Sequence, residues 1–293
     1  MRRLFPVTDQ TRPGTPPGTP SATSPGTPAD LGTDREWTLD ELAEAYAYPA
    51  TSSAPVPATS SATAPAPAGD RETGAWLRAN MVTTLDGAAH HDGLSHALSS
   101  DADMRIFGVL RGLADAVVVG AETVRREGYR PARVRAAFAG RRAAAGQPVA
   151  PVIAVVTAGL DLDLAAPLFT APAVPTLILT GSAAPPDRVA AAERAGAVVV
   201  VAGEGSGVDP VRAVRALAER GLTRLLTEGG PRLLGQFVAA GALDELCLTL
   251  SPALTAGDAP RIASGPALAV PERFALASLL EQDGFLFTRY RRP

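Results

Sequence analysis

From Ala75 onward the chain alternates between two patterns. Short runs rich in valine, leucine and isoleucine recur at 76–85, 115–119, 152–157, 174–179, 197–202, 223–227, 245–250 and 285–290. Between several of them, at 101–113, 187–195, 209–220 and 231–241, apolar residues return every three or four positions, the period of a helix with one buried face. Short buried strands alternating with amphipathic helices predict an α/β domain whose central sheet is mostly parallel and covered on both faces. The last strands have no long helix between them, which predicts antiparallel edge strands.

Before residue 75 the pattern fails. Residues from about 10 to 35 and from 50 to 70 are proline, threonine, serine, alanine and glycine with almost no large apolar side chains. Such segments bury too little surface to offset the entropy of ordering, and they read as disordered linker. Between them lies WTLDELAEAYAYP. Thr38 followed by Glu41 makes a capping box, and Leu39, Leu42 and Tyr46 fall on one face, predicting a short helix at 38–48 that docks on the main domain. The predicted organisation is thus a mostly disordered region over 1–74 and a folded domain over 75–293.

Composition narrows the chemistry. The chain has 293 residues and is 46% hydrophobic, enough for a substantial core. A net charge of −3 gives no global attraction to nucleic acid or to an anionic membrane surface, which favours a small-molecule substrate. All 27 basic residues are arginine, so Schiff-base chemistry on a lysine is excluded. The single cysteine, Cys247, lies in an apolar run and reads as a core thiol suited to a reducing cytoplasm. No apolar run approaches the roughly 20 residues needed to span a bilayer, and the start MRRLFPVTDQ lacks a secretory apolar region. A cytoplasmic protein is expected.

In an open parallel sheet, ligands sit beyond the carboxyl ends of the strands. Four such ends carry suggestive residues. After 223–227 come Glu228, Gly229, Gly230 and Pro231, then a helix, which is either an anion pocket at a helix N-terminus or a tight turn. After 115–119 come Gly120, Ala121, Glu122 and Thr123, readable as a cofactor contact or as a turn with a capping threonine. Thr180, Gly181 and Ser182 follow 174–179 and read as ribose-binding hydroxyls or a polar loop. The first strand ends in Asn80 through Gly87, where Asp86 is either a ring-binding or proton-relaying carboxylate or half of an ordinary Asp-Gly turn.

Other motifs are weaker. The stretch Gly203 to Val208 lacks the third glycine of a dinucleotide fingerprint and reads as a loop. His90, His91 and His96 share one polar loop with no second ligand cluster, so no metal is expected. There is no serine-hydrolase elbow and no Walker loop.

The order of the motifs is more specific than any one of them. NMVTTLDG, then Ser99-Ser100-Asp101, then RGLADAVVVGAETVR, then TEGGPRLL, then DELCLTLSP resembles the reductase domain of bacterial riboflavin biosynthesis, the pyrimidine reductase family related to dihydrofolate reductase, over about residues 75 to 265. The resemblance implies a dihydrofolate-reductase-like three-layer fold with an eight- or nine-stranded sheet, NADPH as cofactor, and a homodimer. It implies that Gly120, Thr123 and Val124 lie beside the pyrophosphate and nicotinamide, Gly229 and Gly230 under the pyrophosphate, and Thr180 and Gly181 near the adenosine. Asn80, Asp86 and Glu228 would face the substrate, with Asp86 as the catalytic carboxylate.

The chain departs from that family in two places. Where the riboflavin enzymes carry an Asp-Asp-Pro-x-Leu-Thr-x-Arg loop that grips the ribose phosphate, this chain reads Arg125-Arg126-Glu127-Gly128-Tyr129-Arg130-Pro131. Arg126 or Arg130 can pair with a phosphate in its place, or these arginines form a solvated charge run. One cysteine cannot supply the zinc set of the deaminase that often precedes such a reductase, so a stand-alone reductase is expected. Three functions stay open: reduction of a ribosylamino-pyrimidine phosphate, reduction of dihydrofolate or a pterin, and NADPH binding without catalysis.

Overall fold

The computed structural model describes residues 1–5, 35–49 and 74–293. The two predicted linkers lie outside the described residues. In chain order the elements are β1 (Arg2–Phe5), α1 (Leu39–Ala45), β2 (Trp76–Thr83), α2 (Asp101–Leu113), β3 (Ala116–Gly120), α3 (Ala121–Arg126), α4 (Ala136–Ala144), β4 (Val152–Val156) and α5 (Pro167–Thr170). There follow β5 (Leu177–Thr180), α6 (Pro186–Arg194), β6 (Val198–Val201), α7 (Pro210–Ala218), β7 (Arg224–Thr227), α8 (Pro231–Ala239), β8 (Glu245–Leu250), β9 (Ala275–Gln282) and β10 (Phe285–Arg291).

All these strands join one sheet in the order β1-β9-β10-β8-β2-β7-β3-β4-β5-β6. From β8 to β6 every pairing is parallel, and β1, β9 and β10 add an antiparallel edge. The sheet has ten strands among the described residues, more than the eight or nine expected, because β1 and β9 escape the sequence pattern. Alternation along each strand feeds two cores. Val117 and Val119 of β3 pack with Ile106, Leu110 and Phe138 on one face, while Val118 packs with Leu217, Leu234 and Phe237 on the other.

The capping box is as predicted: the Thr38 hydroxyl accepts from the Glu41 N–H, and the Glu41 carboxylate accepts from the Thr38 N–H. The buried face differs by one position. Leu42, Ala43 and Tyr46 are buried against the main domain, whereas Leu39 is exposed. The helix stops at Ala45, short of the expected 48, because the carbonyls of Ala45 and Ala47 are taken by the Arg289 guanidinium.

Arg289 belongs to a buried cluster around Glu245. The Glu245 carboxylate lies 2.8 Å from Arg78 Nε, 2.6 Å from Arg289 Nε and 3.2 Å from Arg291 Nε. The Arg78 guanidinium also stacks 4.0 Å from the Tyr48 ring, so the N-terminal segment covers the cluster. Cys247, two residues along β8, is a core thiol as expected, and burial pushes its pKa up to about 12.

Candidate active site

The carboxyl ends of β2, β3, β4 and β7 open into one cleft of about 1330 Å³. Its wall on one side is α2, whose first turn is set by the Ser100 hydroxyl accepting from the Asp103 N–H. The floor is formed where the β3 and β7 loops meet. The Gly120 N–H donates to the Gly229 carbonyl at 3.1 Å, and a Cβ on Gly230 would stand 2.8 Å from the Thr123 hydroxyl. A side chain at 230 would therefore push the Thr123 hydroxyl aside, and Gly229, with φ of +90°, takes the left-handed conformation that favours glycine.

Gly120, Thr123 and Gly230 line the cleft together, while Gly229 is outside its lining and tied to Gly120 by that backbone hydrogen bond; Thr123 sits inside α3 rather than at its cap. Val124 is not in the cleft: one step further along α3, its side chain packs into the core. Thr180 and Gly181 are also absent from the lining. The loops after β5 and β6 clasp each other, with Ser182 N–H donating to the Gly203 carbonyl and Ala183 N–H to that of Gly205. Thr180 is fully buried, and a Cβ on Gly181 would lie 2.2 Å from the Gly205 carbonyl oxygen. The end of β4 takes their place in the cleft through Thr157, Ala158 and Gly159. These residues were missed in the sequence, although the run at 152–157 was visible there and the strand-end rule applied to it.

Of the residues expected to face a substrate, Asn80 and Glu228 line the cleft, and Arg130 lines it with them. Glu228 is held by a fork: Arg111 Nε donates to one carboxylate oxygen at 2.6 Å and an Arg111 Nη to the other at 2.7 Å. The Tyr129 hydroxyl donates to the same carboxylate. Burial works against the Arg111 charge, but the Glu228 carboxylate outweighs it and raises the guanidinium above its ordinary range. Arg111 and Tyr129 carried no local signal, because they meet Glu228 only through the fold. Around the mouth stand Arg130, Arg133 and Arg135, with His90 and His96 on the loop before α2.

Asp86 is placed elsewhere. It is exposed, outside the cleft lining, and both its oxygens are engaged: one accepts from the Thr84 hydroxyl, the other from the N–H groups of Thr255 and Ala256. The Thr84 hydroxyl and these backbone donors hold its pKa below the usual carboxylate range. Its geometry is that of a pin between the 84–88 turn and the 253–256 loop. Among the described residues no helix is long and apolar enough to cross a membrane, and no group of three or more His, Cys, Asp or Glu is placed to hold a metal ion.

Residues 75–283 match the family model described as the RibD C-terminal domain. The chain belongs to that family. It has the α/β fold with a mostly parallel central sheet and antiparallel edge strands that the sequence pattern implied. Two curated relatives are both named 2,5-diamino-6-ribosylamino-4(3H)-pyrimidinone 5′-phosphate reductase. That of Archaeoglobus fulgidus is 27% identical over 192 residues, 65% of this chain and 86% of the relative. That of Aquifex aeolicus is 31% identical over 177 residues, 60% of this chain and 73% of the relative. Among solved structures, a pyrimidine reductase-like protein from Corynebacterium diphtheriae superposes with a TM-score of 0.68 at 27% identity, covering 75% of this chain and 92% of that one.

Proposed function

We propose that this RibD-family chain uses NADPH to reduce the ribosylamino group of a pyrimidinone ribose phosphate, the reaction class for which its relatives are named. Membership of the family makes it an oxidoreductase of the pyrimidine reductase type. The observation that carries the proposal is the cleft itself. At about 1330 Å³ it exceeds the roughly 300–1,000 Å³ of a site for one drug-sized ligand, leaving room for a dinucleotide and a small substrate together.

The donor set suits the cofactor. Gly120 and Gly230 line the cleft without side chains, so a pyrophosphate can approach the backbone there, and Thr123 and Thr157 offer hydroxyls beside it. When bound, NADPH supplies a hydride, destined for C1′ of the substrate's ring-opened sugar. The chain's own part is placement. Arg111 and Tyr129 fix the Glu228 carboxylate, Asn80 meets the ring, and Arg130, which has no hydrogen-bond or ion-pair partner among the described residues, is available to the phosphate. A homodimer through the partly exposed row Leu246, Leu248 and Leu250 of β8, and a cytoplasmic setting, belong to the same proposal.

The test follows NADPH oxidation at its near-ultraviolet absorbance with the diaminopyrimidinone ribosylamine phosphate as substrate. Turnover is expected; bound NADPH with no turnover would overturn the proposal. Gly230→Ala should weaken NADPH about tenfold by displacing the Thr123 hydroxyl, the equivalent of one lost hydrogen bond, without unfolding the protein. Titration of NADPH fluorescence reads this directly. Asp86→Asn should leave kcat within about threefold while lowering the thermal midpoint slightly, since a pin and not a reacting group is altered. A loss of kcat by orders of magnitude at unchanged midpoint would return Asp86 to the chemistry.

A further inference from the structure

Three buried carboxylates in this protein come with arginines. Asp115 has Arg224 at 3.0 Å, Glu228 has the Arg111 fork, and Glu245 has three guanidinium partners. Asp103 differs from these three. It is 5% exposed, yet among the described residues no cation pairs with it. Its carboxyl group accepts from the Thr249 hydroxyl at 2.6 Å and from a Ser99 hydroxyl. The N-cap bond does not account for it, because that bond uses the Asp103 N–H and not its carboxyl group.

The position of Asp103 is fixed from two sides. Ser100 sets the first turn of α2, and Thr249 of β8 lies opposite Val82 of β2, so the carboxyl group is held above the end of β2. There it lines the cleft beside Asn80, Val82, Ser99 and Phe107. Two hydroxyl donors occupy only part of a carboxylate's capacity of about four acceptor sites. Burial without a cation raises the Asp103 pKa above the ordinary carboxylate value, which marks a group kept at a cost to stability.

We propose that Asp103 reads the N3–H and 2-amino edge of the pyrimidinone ring, so that the cleft accepts the 2-amino substrate and rejects its 2-oxo, uracil-type counterpart. The inference rests on the pyrimidine reductase reading above and specifies its substrate. The chemistry is complementary. A 2-aminopyrimidin-4(3H)-one presents two adjacent donors, N3–H and the amino group, to two carboxylate acceptors. The uracil-type ring presents one donor and one carbonyl oxygen, and that oxygen would face a carboxylate oxygen with no hydrogen between them. A site built around a hydrogen bond rejects a partner that cannot make it far more strongly than an apolar pocket does.

The experiment compares the diaminopyrimidinone and aminouracil ribosylamine phosphates in wild-type protein and in Asp103→Asn. Wild type should favour the diamino substrate in kcat/KM by at least about 100-fold. An asparagine offers one acceptor and one donor, which match the uracil edge, so the variant should lose the diamino substrate about 100-fold and gain the uracil one, with NADPH affinity unchanged. Equal wild-type turnover of both rings, or an unchanged preference in Asp103→Asn, would overturn the role of Asp103 and leave the reductase reading standing. Turnover of neither ring would overturn the reductase reading itself. If the variant does not fold, inhibition of the wild type decides: isocytosine should compete with substrate and uracil should not, and equal inhibition by both would refute the inference.

Discussion

Glu245→Ala is expected to leave the protein largely unfolded at room temperature. The side chains of Arg78 and Glu245 are fully buried and that of Arg289 is 8% exposed, so the cluster has little water to fall back on. Removing one member of a buried ion pair costs about 3–5 kcal/mol, because the partner charge stays behind without compensation. Here two buried guanidinium groups lose their counter-ion at once, against a total stability of about 5–15 kcal/mol for an ordinary domain. The damage spreads to the N-terminal segment, since Arg289 also holds the carbonyls of Ala45 and Ala47 and Arg78 stacks on Tyr48.

The same cluster sets an acid limit. Burial favours the neutral form of Glu245, but Arg78, Arg289 and Arg291 outweigh it and hold its pKa down at about 2, below the ordinary 4.5. A folded pKa below the unfolded one means that the stabilisation is complete above the unfolded value and is lost as pH falls toward the folded one. Denaturant melts should therefore lose stability between about pH 4.5 and 2, and Glu245→Gln should be weaker at pH 7 with a shallower dependence in that window. An alanine variant as stable as wild type would mean the arginines find water or other partners.

Arg111→Ala is the second large effect, and it reaches function as well as stability. Glu228 is 5% exposed in its side chain, and Arg111 supplies both hydrogen bonds of its fork. Its loss is expected to cost about 3–5 kcal/mol and to free Tyr129 and Glu228 at the cleft wall. Activity should fall by at least about 100-fold in kcat/KM, since a misplaced binding group costs rate through orientation. Arg111→Lys should recover little, because an ammonium cannot reproduce the two-pronged geometry. Stability and kcat/KM measured on both variants separate these claims; an alanine variant that is destabilised but fully active would remove Glu228 from the substrate site.

What the sequence made legible follows physical range. The buried parallel strands and their helices announce themselves through local periodicity, and the capping box at Thr38 and Glu41 is a motif four residues long. β9 was missed although its hairpin with β10 turns on Asp283-Gly284, both at positive φ, which is a strong turn signal. β1 is only four residues long, and α4 buries just Phe138 and Arg142, too little to show an apolar stripe.

The floor of the cleft was legible because Gly120 and Gly230 sit in the loops at strand ends. Thr180 and Gly181 follow the same rule and are nonetheless covered, since the clasp between the loops after β5 and β6 is a tertiary event that no local pattern encodes. Arg111 with Glu228 and Asp103 with Thr249 are likewise joined across more than a hundred residues, at separations of 117 and 146. Side chains that depend on such pairings become visible only once the sheet order brings them together.

The central claim is that the cleft floored by Gly120 and Gly230 joins NADPH to a pyrimidinone ribosylamine phosphate. The most direct test is turnover with NADPH deuterated at the transferring C4 position, with the product weighed by mass spectrometry. The account predicts one deuterium on C1′ of a ribityl product. Product without deuterium, or bound NADPH and intact substrate with no product, would contradict it.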